Sequence, residues 1–141
     1  MSTNYQSIAG SLLNEQESPF VININGQCMH PILQSGEQVE VLPSAHYFPG
    51  DIVVFEHSLL GLTAHRLLGL TWSTRGLRYM TKADNTGKID CLLEPQKILG
   101  RLHKNLSQNL SVRCSVSMRL RCMVQMAKIT IMLALKKLYQ G

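Results

Sequence analysis

The sequence predicts a mainly β domain followed by one amphipathic helix. From residue 20 to about residue 103, short runs rich in β-branched residues alternate with Gly, Pro and Asn turn signals. After residue 106 the apolar residues follow a helical period instead. A chain of 141 residues that is 45% hydrophobic and only 16% charged is large and apolar enough to bury a core, which excludes a wholly disordered protein.

The strands are predicted from their residue patterns and from the turns between them. Asn25-Gly26 is a strong turn signal after the first run, and Pro49-Gly50-Asp51 precedes an apolar run. Residues 38–42 alternate polar and apolar side chains, which is typical of a half-buried strand. The predicted strands are residues 20–24, 38–42, 52–55, 62–70, 77–81 and a final one within 95–102.

The C-terminal part of the chain differs from the rest in charge. Residues 1–94 hold all 9 acidic residues, whereas residues 95–141 hold 9 of the 14 basic residues. Within it, residues 118–138 form a predicted helix with a basic stripe and a wide apolar face. A basic amphipathic segment favours an anionic membrane surface, and the alternative is that its apolar face packs on the β domain or on a partner chain. The predicted division is an arm at 1–19, the β domain at 20–103 and the helical segment at 104–141.

Several function classes are not expected from this composition. No run of about 18 uncharged apolar residues predicts a standard membrane-spanning helix, and the first residues lack the pattern of a secretory signal. The 4 cysteines form no C-x-x-C pair, so neither a structural metal site nor another cofactor is predicted. We expect a cytoplasmic or peripherally membrane-associated protein without a nucleic-acid partner.

Three kinds of reactive side chain stand beside predicted turns or strands. Cys28 lies in a turn that Pro31 makes rigid, and a nucleophile in a turn is exposed and close to backbone N–H groups. His65 lies within a β-type run, and the loop that follows the next run carries Asp84 and Asp90. Cys, His and Asp are a workable set of thiolate, base and orienting carboxylate.

The order of six short motifs resembles the signal peptidase family, which shares its superfamily with the LexA-like repressors. The family motifs read S-M-x-P, G-D, G-D-I-V, H-R or K-R, T-K-G-D-N and I-I-G-K. Their counterparts here are Cys28-Met29-His30-Pro31, Gly36-Glu37, Pro49-Gly50-Asp51-Ile52-Val53, His65-Arg66, Thr81-Lys82-Ala83-Asp84-Asn85 and Ile98-Leu99-Gly100-Arg101. The resemblance covers residues 20–103 and implies a signal-peptidase-like or LexA-like β-rich fold that cleaves signal or leader peptides from precursor proteins.

The resemblance also implies roles for particular residues. His65 occupies the general-base position, as in the branch of the family that uses His with an Asp. Cys28 stands where the family has its nucleophilic Ser, Asp90 fits the orienting acid, and Asp84 is the second choice. Gly26 replaces a Ser that often supports the oxyanion, so backbone N–H groups must do so here.

A precursor peptide is predicted to bind in extended form, adding as a strand beside residues 20–24 and 79–82. The predicted substrate contacts are Ile22, Ile24, Met29 and Tyr79. A different hypothesis remains open, because the thiol can also be inert. The chain would then be a catalytically inactive peptide-binding or membrane-adaptor module on the same fold.

Overall fold

The computed structural model describes residues 18–57, 61–90 and 92–140, and it confirms a mainly β fold with one C-terminal helix. Nearly all of the predicted arm at 1–19 lies outside the described residues. The elements are β1 (Phe20–Asn23), β2 (Gln38–Leu42), β3 (Ile52–His57), β4 (Gly61–Ser73), β5 (Gly76–Lys82), a 3-10 helix (Pro95–Lys97), β6 (Ile98–Asn105), β7 (Leu110–Ser111) and α1 (Val116–Tyr139).

The strands form one antiparallel sheet in the order β1-β2-β6-β3-β4-β5, with β7 paired to β6. β3 lies inside the sheet, and its first four residues are all buried. Because neighbouring side chains of a strand point to opposite faces, β3 contributes to two core clusters. One cluster contains Ile24, Met29, Leu33, Val39, Val41, Ile52, Val54 and Leu102, and the other contains Val53, Phe55, Leu67, Tyr79, Leu93 and Ile98.

The sheet extends past the predicted domain limit at residue 103. β6 continues to Asn105, which pairs with Leu110 of β7, so residues 104–111 belong to the sheet and not to the helical segment. The helix begins at Val116 because the hydroxyl oxygen of Ser115 accepts a hydrogen bond from the Met118 N–H, 3.2 Å away. This N-cap satisfies an N–H group that would otherwise have no partner within the helix.

α1 packs one narrow face on the sheet. Cys122 is buried there against Leu68 of β4 and Met80 of β5, with Met118, Met126 and Ile129 packed around them. Burial raises the pKa of the Cys122 thiol. None of the helices in the described part of the chain is long and apolar enough to cross a membrane.

Candidate active site

A buried histidine and a carboxylate meet where β4 and β5 face the loop that follows β5. His65 lies in β4 opposite Val53, and only 6% of its surface is exposed. Its Nδ1 is 2.5 Å from Oδ2 of Asp90, so the two side chains are hydrogen-bonded. The ring of Phe55 packs edge-on against the imidazole, with 5.7 Å between ring centroids. Packing and the hydrogen bond therefore hold the imidazole in one orientation.

Asp90 is itself held in place by Thr81. The Thr81 hydroxyl donates to Asp90 Oδ2 over 2.8 Å, and the Asp90 backbone N–H donates to the Thr81 carbonyl over 2.9 Å. Thr81 is completely buried and pairs with Leu67 of β4. Sequence reasoning did not assign Thr81 a role, although the residue opens one of the six motifs. Its hydroxyl fixes the carboxylate that faces His65.

The second ring nitrogen of His65, Nε2, makes no hydrogen bond to the described part of the chain. Nε2 is buried and has no hydrogen-bond partner among the residues that the structure describes. A buried polar atom without a partner costs free energy of about 1–3 kcal/mol. Such an atom requires an explanation, and one explanation is that it serves a reacting group. When Nδ1 holds a proton against the Asp90 carboxylate, a neutral imidazole leaves Nε2 as an acceptor.

Asp84, the second choice for the orienting acid, faces a different residue. Its carboxylate accepts from Arg66 Nε at 2.8 Å and from the terminal nitrogen Nη2 at 2.6 Å. The Arg66 guanidinium also donates to the Gly50 carbonyl. Burial acts to lower the pKa of Arg66, but the hydrogen bonds and charge of Asp84 outweigh it and raise that pKa overall. Asp84 therefore neutralises a buried arginine, and the structure brings Asp90 to His65.

Cys28 lies in the turn between β1 and β2, and its side chain is exposed. The turn is anchored on one side by Met29, which is buried in the core. On the other side, the Cys28 carbonyl accepts from the Asn85 N–H over 3.2 Å, which ties the turn to the loop that leads to Asp90. The Cys28 thiol does not hydrogen-bond to His65 Nε2. Of the three predicted catalytic side chains, His65 and Asp90 are in contact. The turn that carries the third, Cys28, is hydrogen-bonded to the loop that leads to Asp90.

Two backbone N–H groups in the turn that carries Cys28 have no hydrogen-bond partner in the part of the chain that the structure describes. Those of Cys28 and Met29 donate to no acceptor within the described residues. Gly26 has a φ of +97°, a left-handed conformation that side chains with a Cβ rarely adopt. A Ser at this position would be strained, which explains why Gly stands there. Gly26 therefore offers no side-chain donor to an oxyanion at Cys28.

The predicted substrate contacts need correction. Ile24, Met29 and Tyr79 are buried core residues, so their side chains do not line an open groove. Ile22 is half-buried in β1, and its contact with substrate stays a prediction. The predicted peptide position beside residues 79–82 is also wrong. Tyr79 exchanges two backbone hydrogen bonds of 2.9 Å with Leu93, which already occupies that edge. Among the described strands, β1 is at the opposite edge and pairs only with β2.

Searches with the chain against models of protein families, curated proteins and solved structures gave no match. Among the described residues, no group of three or more His, Cys, Asp or Glu side chains is placed to hold a metal ion. The candidate site therefore consists of the His65 imidazole, the Asp90 carboxylate and the Cys28 thiol. The imidazole is hydrogen-bonded to the carboxylate at Nδ1 and has no partner at Nε2 within the described ranges, and the thiol is exposed in the turn between β1 and β2. A thiol, an imidazole and a carboxylate are the types of group that acyl transfer through a thioester uses.

Proposed function

We propose that the chain is a thiol endopeptidase with Cys28 as nucleophile, His65 as general base and Asp90 as the residue that positions His65. The observation that carries this proposal is the His65 imidazole, which is bonded to Asp90 through Nδ1 and unpartnered at buried Nε2. The large majority of buried side-chain polar atoms have a hydrogen-bond partner, so a histidine that serves only the core normally has both nitrogens satisfied. The motif order supports the same reading, since it puts a nucleophile at position 28.

In the proposed reaction, His65 Nε2 accepts and returns the proton at each step. His65 Nε2 takes the proton from the Cys28 thiol, and the thiolate attacks the carbonyl carbon of the peptide bond. The tetrahedral intermediate collapses to a thioester as the amine leaves with the proton from Nε2. Nε2 then takes a proton from a water molecule, whose oxygen attacks the thioester and releases the acid and the thiol. Asp90 stabilises the imidazolium that forms in both halves of the reaction.

The negative oxygen of the intermediate requires hydrogen-bond donors. The N–H groups of Cys28 and Met29, which have no acceptor among the described residues, are the proposed donors, because they belong to the nucleophile and to the residue after it. Met29 is anchored in the core, so its N–H does not have to be ordered during the reaction. Pre-ordered donors lower the barrier because no reorganisation is needed when charge develops.

The proposed substrate is a signal or leader peptide of a precursor protein, the class that the motif resemblance implies. The substrate would bind in extended form along β1, the sheet edge that no described strand covers. Strand addition at this edge supplies backbone hydrogen bonds and leads the peptide toward the turn that carries Cys28, since β1 ends at Asn23.

A second candidate function is a catalytically inactive peptide-binding or adaptor module. The observation in its favour is that the Cys28 thiol and His65 Nε2 are not hydrogen-bonded. Activity requires the thiol to approach Nε2 by rotation about its Cα–Cβ bond or by movement of the turn. Catalytic hydrogen bonds are often formed only when substrate is bound, so this separation is compatible with both functions.

The two functions are distinguished by peptide cleavage. Wild type, Cys28→Ala and Cys114→Ala are incubated with a complex mixture of precursor peptides, and new termini are identified by mass spectrometry. We expect wild type and Cys114→Ala to produce the same termini and Cys28→Ala to produce none. Cys114→Ala is the matched control, because Cys114 is the other described cysteine with an accessible side chain.

Thiol labelling provides a readout that needs no substrate. If the thiol reaches Nε2 in the free protein, iodoacetamide should modify Cys28 more slowly in His65→Ala than in wild type near neutral pH, because the proton acceptor is lost. The labelling rate of Cys114 is the internal control. Full cleavage by Cys28→Ala would refute the mechanism. If wild type cleaves no peptide, and wild type and Cys28→Ala both still bind precursor peptides, the chain is the inactive peptide-binding module.

A further inference from the structure

The outward face of α1 is apolar along its whole length. Six large apolar side chains lie on it, each more than half exposed, and we name them the outer stripe: Val116, Leu120, Val124, Ile131, Leu135 and Leu138. With about 100° of rotation per residue, the outer stripe lies roughly opposite the face that packs on the sheet through Met118, Cys122, Met126 and Ile129. The sheet therefore leaves this side of the helix uncovered.

The size of this surface makes it unusual for a solvent-facing helix. A helix of 24 residues is about 36 Å long. Apolar side chains that recur over this length form one contiguous patch, and patches of this kind mark a surface that binds something. The outward face of a helix that merely packs on its own domain is normally polar.

The charges of α1 indicate what covers the patch. The helix contains five basic residues, Arg119, Arg121, Lys128, Lys136 and Lys137, and no acidic residue. At about 100° per residue, Arg121 and Lys128 border one side of the outer stripe and Lys137 borders the other. Arg119 is paired with Asp51 of the β domain instead. An apolar stripe with two basic residues on one border and one on the other matches a membrane interface, where the stripe enters the acyl boundary and the basic residues contact anionic headgroups.

A second copy of the chain fits this surface less well. Two outer stripes packed face to face would bring the basic borders of one helix toward those of the other, and α1 has no acidic residue to pair with them. Like charges at such borders destabilise the contact. A spanning orientation is also disfavoured, because it would place the charge of Lys128 within the hydrocarbon layer.

We infer that α1 binds the surface of an anionic membrane through the outer stripe and lies in its plane. The β sheet then remains on the water side, since it is packed on the opposite face of the helix. This inference does not depend on catalysis by Cys28, so it stands or falls separately from the proposed function.

Vesicle sedimentation with the full chain tests the inference. We expect binding to vesicles of phosphatidylcholine with phosphatidylserine and weak binding to phosphatidylcholine alone. The triple variant Leu120→Gln, Ile131→Gln and Leu138→Gln should bind at least about 1,000-fold more weakly, since burial of each side chain contributes about tenfold or more. Leu110→Gln is the matched control, because Leu110 is an exposed apolar residue outside the helix.

The basic borders are tested separately. Arg121→Gln with Lys128→Gln should weaken binding to the anionic vesicles about 25-fold, at about fivefold for each basic residue. Lys88→Gln with Lys97→Gln removes the same charge from exposed positions outside α1 and should have little effect. Circular dichroism checks that all variants are folded, which is expected because every substituted side chain is exposed.

Three results would overturn the inference. The first is unchanged binding by the triple variant, and the second is equal binding of wild type to neutral and anionic vesicles. The third is a stable dimer in lipid-free solution that the triple variant dissociates, which would assign the outer stripe to a second copy. Size-exclusion chromatography with light scattering measures this last property.

Discussion

Separate replacement of Asp90 and Asp84 by Asn tests which carboxylate serves His65. Asn has nearly the size of Asp but carries no charge. In the wild type, Asp90 Oδ2 accepts from His65 Nδ1 at 2.5 Å and from Thr81 Oγ1 at 2.8 Å. Because His65 becomes an imidazolium when it takes the thiol proton, loss of the Asp90 charge raises the barrier of that step. Loss of the Asp84 charge instead leaves Arg66 unpaired.

We expect the first variant to lose catalytic activity and the second to lose folding stability. A hydrogen bond to a charged group contributes about 1.5–3 kcal/mol, so Asp90→Asn should lower kcat/KM at least about tenfold. An amide that stabilises the wrong imidazole tautomer can extend the loss to about 10⁴-fold, the effect known for serine-protease triads. Asp84→Asn leaves a buried guanidinium without its carboxylate, which costs about 3–5 kcal/mol of folding free energy.

The assay measures kcat/KM on a peptide identified by mass spectrometry and Tm by circular dichroism. We expect Asp90→Asn to lose activity with a small change in Tm, and Asp84→Asn to lose roughly 10 °C in Tm. At a temperature where it is folded, Asp84→Asn should retain most of its activity. Asp90 does not serve His65 if Asp90→Asn is as active as wild type, or if folded Asp84→Asn is the less active of the two.

Two further predictions concern stability. The pKa of Glu37 is lowered, first by the hydrogen bond from the Gln34 N–H and then by the amides of Asn105 and Gln108, while burial opposes the shift. Glu37→Gln should therefore lower Tm by about 3 °C at pH 7. This difference should begin to shrink as the pH falls below 4.5, where Glu37 of the unfolded chain is protonated, and should be lost once the pH falls through the lower pKa of Glu37 in the folded protein. A difference that stays constant from pH 7 to pH 3 would contradict this prediction. Gly100→Ala would place a Cβ 2.7 Å from the carbonyl oxygen of Leu42, so we expect the free energy of unfolding to fall by about 2 kcal/mol, as measured by thermal unfolding. An unchanged Tm would show that the strand can shift to make room for the methyl group.

The strands were predictable because their signals are local. Alternation at residues 38–42 and the continuous apolar run from Ile52 each reflect how a strand is buried, on one face or on both. The turn glycines are equally local, since Gly26, Gly50 and Gly76 all have positive φ values. The sheet order was not predictable. β6 lies between β2 and β3, and this depends on contacts between residues distant in the chain.

The candidate site was predicted in its residue types but not in its contacts. The motif resemblance pointed to His65 and left two carboxylates as possible partners. Only the pairing of the loop with β5, where the Asp90 N–H donates to the Thr81 carbonyl, turns Asp90 toward the imidazole. The substrate contacts at Ile24, Met29 and Tyr79 were wrong because apolar residues near a reactive group look alike in sequence whether they line a groove or fill a core.

The sequence by itself determined that a mainly β domain precedes a basic amphipathic helix, because hydrophobic period and charge are properties of neighbouring residues. The tertiary structure decided which face of that helix packs on the sheet. Cys122 and Met126 pack on the sheet because β4 approaches closely there, at Gly69, where a Cβ would lie 3.2 Å from the Met126 side chain. The remaining apolar face stays exposed, since the sheet contacts only one side of a helix whose apolar residues extend around most of its surface.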